Sequence, residues 1–189
     1  MELLEEPLIT RHRLTVEDYD RMAETGVLAP GARVELIDGE VIDMAPMGTG
    51  HHSMVMRLSH LLHDAVGNRA TVMTQLPLRL DRHSEPEPDL ALLKPREDFY
   101  AGALPTGADT LLVVEISDST LAYDVRIKAP LYARNGVPEL WIVDLPGHAL
   151  RCFRSPRGDT WTDIRIITEP GVVPLPGLPG VTLDLSGLL

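Results

Sequence analysis

The run Leu111-Leu112-Val113-Val114-Glu115-Ile116 constrains the fold of this chain more than any other stretch. Successive side chains of a strand point to opposite faces. Both faces are apolar here, so the strand must be covered on both sides. That calls for a central strand in a layered α/β architecture. Inside the run stands one carboxylate, Glu115, and burying it alone is costly unless a partner or a cation compensates.

The flanking pattern agrees with a layered fold. Leu121 to Asn135 has helical spacing and ends at Gly136, and Glu139-Leu140-Trp141-Ile142-Val143-Asp144 is a second apolar strand. Strand, helix, strand over 111–144 is a parallel crossover unit. Pro130 disturbs its helix, because an interior proline costs about 3 kcal/mol. Either the helix kinks there or its regular part begins later.

Upstream, Thr15 caps a short amphipathic helix with acidic residues in its first turn, and Gly26 follows its end. Asp38-Gly39 between Arg33–Ile37 and Glu40–Met44 signals a tight hairpin. Gly50 to Val66 carries Met54, Val55, Leu58, Leu61, Leu62 and Ala65 at helical spacing. Strands are expected over Thr71–Leu80, broken at Pro77, and over Asp89–Leu93. Downstream, Ala149–Arg154 and Trp161–Ile167 read as an antiparallel pair turning near Pro156 to Gly158, before a tail rich in proline and glycine. No repeat or linker divides the chain. The expectation is a single domain over 1–189: an N-terminal helix and hairpin extension (1–49), a core (50–144), and C-terminal strands with a tail (145–189).

Composition bounds the function. At 189 residues and 44% hydrophobic the chain can bury a real core, but only 4% is aromatic, too little for base-stacking platforms. With 17 Lys and Arg against 28 Asp and Glu, the net charge is −11. A generic polyanion binder carries a basic face, so nucleic-acid chemistry here needs a local basic patch, a bound metal or a partner. The lone Cys152 excludes an intramolecular disulfide and a multi-cysteine zinc site. The acidic start MELLEEPLIT has no apolar run and no stretch approaches membrane-spanning length, so a cytoplasmic protein is expected. No Gly-x-Ser-x-Gly elbow or phosphate loop occurs.

The chemistry is expected where the carboxylates fall. Asp89, after Pro88, stands at the entrance of one strand, and Glu115 lies near the end of the next. Two carboxylates on adjacent strands can converge on a hard divalent cation such as Mg²⁺. Lys128, in the following helix, is four residues from both Asp124 and Tyr132 and shares their face. Its ammonium can orient a water or stabilise charge developing on a phosphate. Glu35 and His51 are additional candidates: Glu35 as a ligand or a lysine partner, His51 at a helix start that attracts anions or a metal. Blander readings stand beside these. Asp89 is a turn residue, Glu115 forms a buried ion pair with Lys128 or an arginine, Glu35 faces solvent, His51 and His52 line the surface, Glu85 to Glu87 is a solvated turn, and Trp141 and Tyr132 are packing.

Taken in order, Glu35-Leu36-Ile37-Asp38-Gly39-Glu40, Pro88-Asp89, Val114-Glu115-Ile116-Ser117-Asp118-Ser119-Thr120, Asp124 with Lys128 and Tyr132, and Gly136-Val137-Pro138-Glu139-Leu140-Trp141-Ile142-Val143-Asp144 resemble the Uma-type restriction endonuclease-like family of the PD-(D/E)XK nuclease superfamily. The resemblance implies a mixed central sheet flanked by helices, with the order helix, three strands, helix, strand. It also implies Asp89, Glu115 and the carbonyl of Ile116 as ligands of Mg²⁺, for which Mn²⁺ can substitute, Lys128 acting on the nucleophilic water, DNA as substrate, and a homodimer to which the apolar tail 171–189 contributes. Ser117 departs from the superfamily pattern, since it stands where a lysine is usual. Two alternatives follow: a catalytically silent dimerising or binding module of the same fold, and a metal-dependent hydrolase of small phosphorylated substrates.

Overall fold

The computed structural model describes residues 10–189. Thr15 opens helix α1 (Val16–Glu24) with a reciprocal cap: its hydroxyl accepts from the Asp18 N–H, and Asp18 accepts from the Thr15 N–H. Strands β1 (Val34–Ile37) and β2 (Glu40–Asp43) pair antiparallel with Ile37 opposite Glu40. Asp38 and Gly39 turn between them at φ 52° and 80°, the left-handed pair that a two-residue hairpin requires. A side chain at position 39 would meet the Arg13 Cβ at 2.6 Å.

Six strands form one sheet in the order β3-β4-β5-β6-β7-β8. They are β3 (Thr71–Thr74), β4 (Leu90–Leu93), β5 (Thr110–Ser117), β6 (Glu139–Asp144), β7 (Ala149–Arg157) and β8 (Thr160–Ile167). Only β5 and β6 run parallel, and the other neighbours are antiparallel. The architecture is a mixed α/β sheet flanked by helices. β5 and β6 are its two central strands, buried on both faces as their apolar runs require.

Helix α2 (Thr49–Val66) buries Met54, Val55, Leu58, Leu62 and Val66 on one face of the sheet, against Leu90, Leu112, Val114 and Ile116. The tail folds back onto the same layer: β9 (Val172–Pro174) and β10 (Thr182–Asp184) pair, and Val173, Leu175, Leu178, Val181, Leu183 and Leu185 join that core. Most of the tail's apolar residues are thus spent on the chain's own interior, with Val172 left exposed.

The opposite face is covered by the segment after β5, which departs from a regular helix. It comprises α3 (Leu121–Tyr123), a wider π turn (Asp124–Lys128) and α4 (Ala129–Arg134). Pro130 sits in the first turn of α4, where the missing N–H and fixed φ cost least. The wide turn thus absorbs the proline that would have broken a continuous helix. The strand expected to reach Leu80 stops at Thr74, since Gln75 is left-handed at φ 48° and Pro77 follows. No helix of the described residues is long and apolar enough to cross a membrane.

Candidate active site

The register of β4 and β5 pairs Leu90 with Val114, which brings Asp89 beside Glu115 at one end of the sheet. Both line a cavity of about 270 Å³ together with Glu35, His51, Asp124 and Lys128. Every sequence-expected site residue therefore reaches one pocket, including Ile116. The hairpin supplies Glu35, the start of α2 supplies His51, and the π turn supplies Asp124 and Lys128.

Lys128 is the hub. Its Nζ donates to Glu115 Oε1 at 3.1 Å and lies 3.0 Å from Glu35 Oε2. All three are buried, so the buried ion pair expected as the bland reading of Glu115 is present. It is embedded in the pocket rather than an alternative to it. Glu35, for which a solvent-facing position stood open, is 3% exposed and also accepts from the Glu87 N–H at 3.3 Å. An ammonium has three N–H donors, and two of Lys128's are committed among the described residues.

Tyr132, expected as packing alone, donates its hydroxyl to Glu115 Oε1 at 2.6 Å. Lys128 and Tyr132 thus converge on Oε1, which leaves Oε2 free of protein donors among the described residues. Burial is the leading influence on Glu115 and pushes its carboxyl up to about 8, with Asp124, Asp89 and Glu35 adding in the same direction against Lys128. For Lys128 burial works against the charge, but Glu115, Glu35 and Asp124 outweigh it and raise its pKa.

Asp89 is held differently. Its Oδ2 accepts from the Ile116 N–H at 2.8 Å and from His51 Nε2 at 3.0 Å, and its Oδ1 accepts from Gln75 Nε2 at 3.2 Å. It is 8% exposed, so it is not a free turn residue. His51 is buried while His52 is exposed. The hydrogen bond to Asp89 raises the His51 pKa, although burial opposes it.

Ser117 donates to Asp124 Oδ2 at 2.6 Å, and Thr120 donates to the same oxygen at 2.7 Å. The acidic run also departs from a solvated turn. Glu85 is buried, bonded to Arg79 Nε at 2.6 Å, and its backbone bridges to Leu36 of the hairpin. This loop docks the hairpin against the sheet and so carries Glu35 into the pocket.

Among the described residues no three His, Cys, Asp or Glu side chains form a ready-made metal cluster. The donor set is rich in carboxylate oxygen and holds no cysteine. The free Oε2 of Glu115 beside Asp89 fits a hard cation that retains several waters. Two further polar atoms at the pocket, His51 Nδ1 and the Tyr123 hydroxyl, are buried without a partner among the described residues, as expected of a cavity that holds solvent or ligand.

A six-stranded mixed sheet with one parallel crossover, flanked by helices, defines a nuclease-like α/β fold. It is similar to the crystal structure of a putative nuclease belonging to DUF820 from Anabaena variabilis ATCC 29413, with a TM-score of 0.64 over 86% of this chain and 89% of that one. At 16% identity that likeness is one of fold. The family profile of Uma2, described as putative restriction endonuclease, matches residues 16–186, and the chain belongs to that family. No curated protein matches it.

Proposed function

We propose that the chain is a metal-dependent endonuclease hydrolysing DNA phosphodiester bonds. The observation that carries this reading is the meeting of Asp89, Glu115 and Lys128, from two adjacent strands and the following helix, in one pocket. Asp89 and Glu115 would hold Mg²⁺ or Mn²⁺, with the Ile116 carbonyl as a further oxygen ligand. The cation would supply charge neutralisation and polarisation at a phosphate oxygen. Lys128, clamped between Glu35 and Glu115, keeps one N–H donor with which it would orient the attacking water or stabilise charge on the phosphate. Glu35 is a positioning residue for Lys128, and His51 is one for Asp89. The lysine absent at Ser117 is supplied from the helix.

The net charge of −11 sets the conditions, since substrate phosphates approach the acidic pocket only with cations to screen it. Duplex DNA has two strands and one pocket cuts one, so we read the working unit as a homodimer. The buried, single Cys152 suits a reducing cytoplasm.

The test is calorimetric titration of Mg²⁺ and Mn²⁺, followed by assay of duplex DNA, single strands and nucleotides under one metal condition. We expect stoichiometric metal binding and cleavage of DNA, both lost in Asp89→Asn and cleavage lost in Lys128→Ala. Absence of metal binding would instead mark a silent module, and turnover of nucleotides alone a small-substrate hydrolase.

A further inference from the structure

Strand β8 ends the six-stranded sheet and bonds only to β7. Among the described residues its outer edge makes no backbone hydrogen bond. Eight residues long and free of proline, it is a template for another strand. Its side chains add a second oddity. Ile164 and Ile166 are 55% and 58% exposed, and they lie on one face, opposite Phe153 and Arg151 of β7. Asp163 and Arg165 lie on the other face, opposite Arg154 and Cys152.

The charges of this edge are self-complementary. An antiparallel pair of identical strands related by a two-fold axis at Ile164 sets position 163 of each copy against position 165 of the other. Asp163 then faces Arg165 of the second copy twice over, Ile164 meets its own counterpart, and Thr162 meets Ile166. Shifting the axis to Asp163 or Arg165 places like charges opposite one another, so the pattern also rejects the neighbouring registers. Within one chain Arg165 Nε reaches Asp163 Oδ1 at 3.0 Å, so both side chains already lie over the face on which the exchange would occur.

We propose that β8 pairs antiparallel with β8 of a second copy about a two-fold axis at Ile164, continuing the sheet across two chains. The inference rests on the pairing part of the reading above and not on the chemistry of the pocket.

Sedimentation equilibrium of the metal-free, full chain tests it without reference to cleavage. The expected result is a concentration-dependent monomer–dimer equilibrium. Asp163→Arg or Arg165→Asp alone turns two opposite-charge contacts into two like-charge ones and should weaken association by about tenfold or more. The double exchange Asp163→Arg with Arg165→Asp restores the complement and should return association to near the original. Ile164→Lys should abolish it, and because that side chain is exposed, circular dichroism should show an unchanged fold. A chain monomeric at every concentration overturns both the pairing and this face. A dimer indifferent to all these substitutions overturns this face alone, and a failure of DNA cleavage alters neither result.

Discussion

Asp89 and Glu115 stand side by side at the end of the sheet, yet the chain secures them in opposite ways. Asp89 receives donors from a backbone N–H, an imidazole and an amide. Glu115 receives an ammonium and a phenol, and burial drives its carboxyl up to about 8. The Asp89 arm is a set of hydrogen bonds around an acid that stays near the pocket wall. The Glu115 arm is an ion-paired cluster in which one Lys128 serves two glutamates. The difference teaches that one buried contact can be at once a structural ion pair and half of the constellation we propose for catalysis. Substitutions on the two arms should therefore separate stability from chemistry.

The largest separation is expected between Lys128→Met and Asp89→Asn. Removing Lys128 strands Glu35 and Glu115 in the interior, and breaking a buried pair from one side costs about 3 to 5 kcal/mol. Asn at 89 can still accept from the Ile116 N–H, so its cost should stay within about 1 kcal/mol. Urea midpoints measure both. Adding Glu115→Gln to Lys128→Met should recover part of the loss, and a Lys128→Met loss below about 1 kcal/mol would show that the cluster is not what holds the helix to β5.

The pH dependence should divide the arms next. Glu115 is raised from 4.5 to about 8 in the folded chain, so folding takes up a proton between those values. Its contribution to stability is complete below pH 4.5 and is lost as pH rises through 8. His51, also raised, acts in the same sense through its own range. Lys128 contributes below 10.5 and is constant across this window. Stability measured from pH 5 to 8 should therefore fall, and Glu115→Gln should flatten most of the slope. An unchanged slope would mean that Glu115 is already ionised at the lower pH.

These expectations also show what could be read in the chain before its folding. The alternation around Glu115, the Asp-Gly turn and the helical spacing of α2 are local signals, and each became the element they imply. The convergence of Asp89, Glu115 and Lys128 was legible because strand order and a four-residue helical spacing constrain it. Tyr132 was half-legible, since the same spacing puts it on the Lys128 face, but nothing local tells a hydroxyl aimed at a buried acid from an aromatic filling a core. Glu85 and Glu35 were harder. Their burial depends on a loop docking a hairpin onto the sheet, a contact between positions about fifty residues apart that alternation does not encode. The exact register of the helix around Pro130 was hidden too, because a proline signals that a regular turn must yield without saying that a wider one takes its place.

A smaller effect should come from Tyr132→Phe. The change removes the 2.6 Å bond to Glu115 Oε1 while keeping the ring that packs in the core. Such a bond is worth about 0.5 to 1.5 kcal/mol while Glu115 is protonated and up to about 3 kcal/mol once it ionises above pH 8, so the loss should be less than that of Lys128→Met. Because Oε1 keeps Lys128, metal affinity should change little, and calorimetry beside thermal unfolding checks both.

The smallest effect belongs to the Asp89 arm. Gln75 is partly buried, donates to Asp89 Oδ1 at 3.2 Å, and holds a left-handed backbone at φ 48°. Gln75→Ala loses the hydrogen bond and keeps the strained backbone, at a cost of about 0.5 to 1.5 kcal/mol. Gln75→Gly loses the same bond but relaxes the left-handed position, recovering up to about 1 kcal/mol. The glycine variant should therefore be the more stable of the two. Asp89 keeps two of its three donors in both, so its carboxylate should remain in place and both variants should retain metal binding. If either loses it, Gln75 positions Asp89 as strictly as the Ile116 N–H does, and the two arms are less unlike than their partners suggest.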